Sequence, residues 1–134
     1  MNDLINDLIR DEGMVLKPYT DTVGKVTIGV GRNLDDNGIS EDEALIMLRN
    51  DIQTAELELH RNLPWLAYKP EQIQRALVNM CFNMGWPRLS GFKKMIAALE
   101  RDDFETAAAE ALNSRWARQV GDRSRRIAKL IREA

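Results

Sequence analysis

Residues 14–39 constrain this chain most. They hold Gly24, Gly29, Gly31 and Gly38 together with Pro18, and no sustained helical period runs through them. Helical spacing of apolar residues governs most of the remainder. The chain therefore has room for one small β lobe near its N-terminus within a mostly helical protein, an α+β arrangement. The run "KVTIGVG" is the clearest strand. Alternation sends Val26, Ile28 and Val30 to one face and Thr27, Gly29 and Gly31 to the other. The first face is expected to pack inward. The second is nearly bare, which suits either a ligand approaching the backbone or a bulge or turn.

The helices follow from spacing and caps. The first is expected at about 3–12, ended by Gly13. "SEDE" at 40–43 is a capping box, with Ser40 capping and Glu43 reaching back. A long helix at about 41–61 follows it. Another runs from Pro70 to about Met84 and is apolar nearly all round, as a central buried helix would be. Short helices are expected near 91–101 and 103–113, then a turn with Asp122 as N-cap, then a last helix at about 123–133. The expected organisation is one domain over 1–134. Its β lobe covers about 13–39 and its long joining helix about 41–61. Its helical lobe covers about 62–134 together with helix 3–12.

Composition removes several functions. Cys81 is the only cysteine and His60 the only histidine. No intramolecular disulfide is possible, and a Cys/His zinc site within the chain is excluded. No metal or cofactor is expected. No apolar run approaches the ~18 residues of a membrane span, so stable membrane insertion is not expected. The opening "MNDLINDLIR" lacks a basic n-region, so no secretory signal peptide is expected. The net charge is −2, yet Lys and Arg outnumber acids from Arg115 onward. "SRWARQVGDRSRRIAKLIR" could make a helical nucleic-acid binder, but the acidic overall charge opposes that reading. A solvated helix face explains the asymmetry more simply, and no nucleic-acid partner is expected.

Three places could carry chemistry. Leu4, Leu8 and Glu12 are four apart and form one row of the first helix, so a carboxylate ends an apolar row. Burial there would keep that carboxyl protonated, as a general acid requires. Asp21, in the turn "YTDTVGK", is the nearest carboxylate able to face Glu12. One carboxyl in an apolar setting and one in a polar turn is the pattern of glycoside hydrolysis. Arg123 lies one turn before Ile127 on the apolar row of the last helix. A cation on that side needs a partner, and Glu12 is a candidate. On the central helix Asn79, Phe82 and Asn83 share a side, which could form a sugar platform or simply pack.

These residues resemble a known family. Glu12, Asp21 and Thr27, spaced as they are within "RDEG…KPYTDTVGKVTIGVG", look like the catalytic segment of the phage-type lysozymes, the endolysins of tailed bacteriophages. "ISEDEALIMLRNDI", "RALVNMCFNMGWPRLSGFKKMIAAL" and "AAAEALNSRWARQVGDRSRRI" resemble later parts of that family in the same order. The resemblance implies a lysozyme-like fold. It also implies a muramidase that cleaves the β-1,4 bond between N-acetylmuramic acid and N-acetylglucosamine of bacterial peptidoglycan, with inversion. Glu12 would be the acid, Asp21 would assist the attacking water and Thr27 would hold it. Gly31, Phe82, Asn83 and Arg115 would line the saccharide cleft, and Arg123 would stand against Glu12.

The departures are specific. Arg32 stands where the family often has His, and Asp51 corresponds to that His's acidic partner, so an Arg32–Asp51 salt bridge is expected. The β lobe is short, Glu110 replaces a cleft Asn, and the chain ends just after the last matched helix. A monomer without a signal peptide is expected. It would wait in the host cytoplasm until a holin lesion releases it to the wall. A catalytically silent wall-binding relative is the alternative, although a lectin has no need of Glu12, Asp21 and Thr27 together.

Overall fold

A computed structural model describes residues 1–134. It divides into two units, Met1–Met47 and Leu48–Ala134. The first holds helix α1 (Asn2–Glu12), strands β1 (Val15–Thr20), β2 (Val26–Gly29) and β3 (Arg32–Asn33), the single turn of helix α2 (Leu34–Asn37) and the start of α3 (Glu41–Asn62). The strands form one antiparallel sheet in the order β1-β2-β3. Gly13 ends α1 at a φ of 80°, where a side chain would be strained. Ser40 and Glu43 make the expected capping box at the start of α3: Glu43 N–H donates to Ser40 Oγ at 3.1 Å, and Ser40 N–H donates to Glu43 Oε1 at 2.9 Å.

The second unit is helical. A 3-10 segment, Pro64–Tyr68, leads to α4 (Glu71–Met84), α5 (Trp86–Leu89), α6 (Lys93–Glu100), α7 (Phe104–Leu112), α8 (Arg115–Val120) and α9 (Asp122–Arg132). Its core is well defined. Leu59, Leu66, Ile73, Leu77, Met80, Leu89, Met95, Leu99 and Ile131 are fully buried. Helices α7 and α9 pack together; the first buries Ala107, Ala108 and Ala111, the second Ile127, Ala128 and Ile131. Small alanines let the two helix axes approach, and the larger residues of α9 fill the space.

An α+β fold with a small antiparallel sheet is what the sequence implies, but four details differ. Helix α1 groups with the strands, not with the helical lobe. Residues 115–120 form a helix where a turn was expected, because the Ser114 hydroxyl caps it by accepting from Ala117 N–H at 3.1 Å. Asp122 is then the first residue of α9, with Gly121 before it. Helix α4 is one-sided: Ile73, Ala76, Leu77, Met80, Cys81 and Met84 are buried, while Val78 is half-buried and Phe82 exposed.

The strand faces are also reversed. Thr27 is the buried one, and Val26 and Val30 are exposed. Thr27 is in fact the only buried residue of the first unit. The row of α1 therefore stays open, with Leu4, Ile5 and Leu8 each about half exposed (48%, 51% and 44%). A sheet of three short strands supplies too little apolar surface to cover that row.

Candidate active site

Asp21 and Thr27 are both fastened to the backbone of Lys25. Asp21 Oδ1 accepts from Lys25 N–H at 2.8 Å and from Val23 N–H at 3.0 Å. Lys25 C=O accepts from the Thr27 hydroxyl at 3.0 Å and from Asp21 N–H at 2.8 Å. This is an Asx-type turn, the ordinary use of Asp between two strands. Its chemical effect is less ordinary. Both turn bonds fall on Oδ1, so Oδ2 makes no hydrogen bond within the chain. The Thr27 hydroxyl has committed its proton to Lys25, which leaves oxygen lone pairs as what it can offer. The carboxylate is anchored by the N–H of Lys25 and the hydroxyl by its C=O, and each keeps an acceptor able to take a hydrogen bond from water.

Glu12 ends α1 and is exposed, so the expected burial of its carboxyl is not found. What adjoins it is backbone. Gly29 and Gly31, at φ of 69° and 73°, bracket the β2–β3 turn. The two glycines thus serve a turn, and one of them also serves a close approach. A β-carbon on Gly31 would lie 2.9 Å from Glu12 Oε2. The missing side chain makes room for the carboxylate itself.

Arg32 follows that turn. Its Nη1 donates to Glu43 Oε1 at 2.9 Å and to Gly38 C=O at 3.0 Å, and its Nη2 donates to Glu43 Oε2 at 2.7 Å. The expected Arg32–Asp51 bridge is thus corrected to a bidentate Arg32–Glu43 pair. Glu43 precedes Asp51 by eight residues on α3, roughly 12 Å of helix, and the capping box already holds its carboxylate at the helix start. The Arg32 guanidinium, with the Ser40 backbone N–H, pulls the Glu43 carboxyl down to about 2. The same pairing raises Arg32 further. Glu43 reads from sequence only as a cap; its second task as a strand anchor has no sequence signature. A groove of about 600 Å³ on this unit is lined by Gly29, Gly31, Arg32, Asn33 and Glu43, with apolar side chains beside them.

The remaining expected site residues lie in the second unit. Phe82 is exposed and lines a groove of about 570 Å³ with Asn79, Val78, His60 and Arg123. Arg123 is half-buried, and the partner given to it is Asn79, not a carboxylate: its Nε donates to Asn79 Oδ1 at 2.9 Å. A half-solvated guanidinium can keep its charge against an amide. Asn83 accepts from the indole N–H of buried Trp116 at 2.8 Å, so its carbonyl already has a structural task. Arg115 is exposed at the start of α8. No three His, Cys, Asp or Glu side chains converge as metal ligands would.

Residues 10–133 match the family model described as phage lysozyme. The chain belongs to the phage lysozyme family. Among its lysozyme relatives are two from Dictyostelium discoideum, named "Probable T4-type lysozyme 1" and "Probable T4-type lysozyme 2". The chain is 29% identical to the first over 157 residues, covering 95% of this chain and 92% of that protein. It is 29% identical to the second over 153 residues, covering 92% and 90%. A further relative is the "Pre-baseplate central spike protein Gp5" of Enterobacteria phage T4, 29% identical over 153 residues. That match covers 92% of this chain but 26% of the spike protein. As a lysozyme-family chain, this is a glycoside hydrolase of lysozyme type.

Proposed function

We propose that the protein is a peptidoglycan muramidase that hydrolyses the β-1,4 bond between N-acetylmuramic acid and N-acetylglucosamine. Glu12 donates a proton to the leaving oxygen. Asp21 takes a proton from a water that attacks the opposite face of the sugar, and Thr27 accepts a hydrogen bond from that water. The observation that carries this reading is the anchoring of Asp21 and Thr27 on the backbone N–H and C=O of Lys25. It leaves Asp21 Oδ2 and the Thr27 lone pairs without a hydrogen-bond partner in a chain of the phage lysozyme family. Water attack from a held position inverts the anomeric centre. Gly31, Phe82, Asn83 and Arg115 are proposed to line the saccharide path. The Arg32–Glu43 pair is proposed to hold the strand that follows Gly31.

As a biological role we propose an endolysin. It waits in the host cytoplasm, passes a holin lesion late in infection and lyses the cell. The test is turbidity clearing of outer-membrane-stripped bacteria by wild type and Glu12→Gln. Loss of a general acid costs roughly 10²–10⁴-fold in rate, so clearing by the variant should be lost. Equal clearing by both proteins refutes the assignment of Glu12. No clearing by either, with retained binding to isolated walls, points to a silent wall-binding relative. Proton NMR of the first product reads the anomer, and a β-anomer contradicts inversion.

A further inference from the structure

Lys25 C=O, which anchors the Thr27 hydroxyl and accepts from Asp21 N–H, shares its peptide group with Val26 N–H. Whatever fixes that N–H also fixes the carbonyl across the same rigid plane. Alternation through this stretch turns the backbone groups of Lys25 toward β1 and those of Val26 toward β3. The β2–β3 register pairs Ile28 with Arg32 and Thr27 with Asn33, so Val26 falls opposite Leu34. Leu34 has already left the sheet as the first residue of α2. The register therefore leaves no strand carbonyl for the Val26 N–H. Asp35 supplies the acceptor instead: its Oδ2 takes that N–H at 2.8 Å. The turn that delivers it is capped by Asn33, whose Oδ1 accepts from Asp36 N–H at 3.0 Å. The neighbouring Asp36 carboxylate grips only side chains, accepting from Lys25 Nζ at 3.2 Å and from Asn33 Nδ2 at 2.9 Å. Two successive carboxylates thus meet residues 25 and 26, and Asp35 alone holds backbone.

We infer that Asp35 is a positioning residue for hydrolysis, holding the Lys25–Val26 peptide so that the Thr27 hydroxyl stays fixed relative to the Asp21 turn. The inference rests on the muramidase reading, which gives Asp21 and Thr27 their tasks. Asp35 acts through one amide plane. The Asp21 carboxylate is held by the preceding peptide, through Lys25 N–H, and by Val23 N–H. Loss of the Asp35 acceptor leaves those two bonds in place. It frees the next plane to tilt, and the carbonyl of that plane carries the Thr27 hydroxyl with it. A side chain thereby completes the ladder that the strand abandons at Leu34.

The test compares full-length wild type, Asp35→Ala, Asp35→Asn and Asp36→Ala on soluble uncrosslinked peptidoglycan strands, well below every melting temperature. Asp35→Ala should lower kcat about tenfold with KM unchanged, part of the roughly 10²-fold that a misplacement of about an ångström costs. Asp35→Asn keeps an acceptor oxygen at the same reach and should recover kcat to within about threefold of wild type. Asp36→Ala loses only exposed side-chain contacts and should stay within about twofold. Amide hydrogen exchange by ¹⁵N NMR reads the latch without activity: Val26 should exchange about tenfold faster in Asp35→Ala and near the wild-type rate in Asp35→Asn. A kcat that falls only with the folded fraction overturns the inference. So does an equal loss in Asp36→Ala, an Asp35→Asn as slow as Asp35→Ala, a raised KM at unchanged kcat, or unchanged Val26 exchange in Asp35→Ala. Wild type that leaves the strands uncut removes the muramidase reading and the inference with it. Equal turnover by wild type and Asp35→Ala removes the inference alone.

Discussion

Gly31 makes room for Glu12: a β-carbon at position 31 would stand 2.9 Å from the Glu12 Oε2 atom. The contact is with the far end of a flexible, exposed side chain, so the fold can yield where the carboxyl cannot keep its place. Gly31→Ala should therefore separate activity from stability. The φ of 73° makes the substitution cost about 1 kcal/mol in a urea melt. Displacing an acid catalyst by about an ångström costs roughly 10²-fold in rate. Equal proportional loss in both measurements would show that the contact is only structural.

The Arg32–Glu43 pair predicts a pH dependence whose sign is fixed. Glu43 has its folded-state value lowered from 4.5 to about 2. A depressed carboxyl contributes stability that is fully present above its unfolded value and is lost as pH falls from there through the folded value. Thermal melts of wild type and Glu43→Gln should thus differ at pH 7, converge between pH 4.5 and 2, and coincide below that. Both side chains are about 40% exposed (39% and 41%), so added salt should narrow the difference. A gap that widens on acidification contradicts the pairing.

Asn83 offers a clean test of two roles. If its carbonyl chiefly satisfies the buried Trp116 indole, Asn83→Ala should destabilise the protein by about 1–3 kcal/mol, the cost of orphaning a buried donor. Tryptophan fluorescence in a denaturant titration reads this directly. A variant of unchanged stability but weakened saccharide binding would return Asn83 to the substrate path alone.

Helix positions and caps were legible in the sequence because they depend on local chemistry. The Ser40–Glu43 box and the Gly13 stop need no knowledge of what lies across space. Thr27 shows where legibility ends. Alternation placed it correctly opposite Val26, but which face turns inward depends on what covers the sheet. Here the inward residue is Thr27, whose hydroxyl is bonded to Lys25 C=O. Arg32 shows the same limit: a long guanidinium takes whichever carboxylate the fold brings, and the capping box brought Glu43. Expected burial of Glu12 failed because an apolar row states what a helix can cover, and the first unit supplies nothing to cover.

Lys25 carries a consequence for anyone mapping the site by mutation. Its importance lies wholly in its N–H and C=O, so exchanging the side chain leaves both in place. Lys25→Ala should be near silent, at the cost of one exposed ion pair to Asp36. Lys25→Pro, which deletes the N–H that Asp21 accepts, should abolish wall clearing. An alanine scan would pass over the residue on which Asp21 and Thr27 jointly depend. Directed evolution would meet the same blindness, since Asp21 and Thr27, the proposed base and water-holder, share a mounting that side-chain substitution scarcely touches.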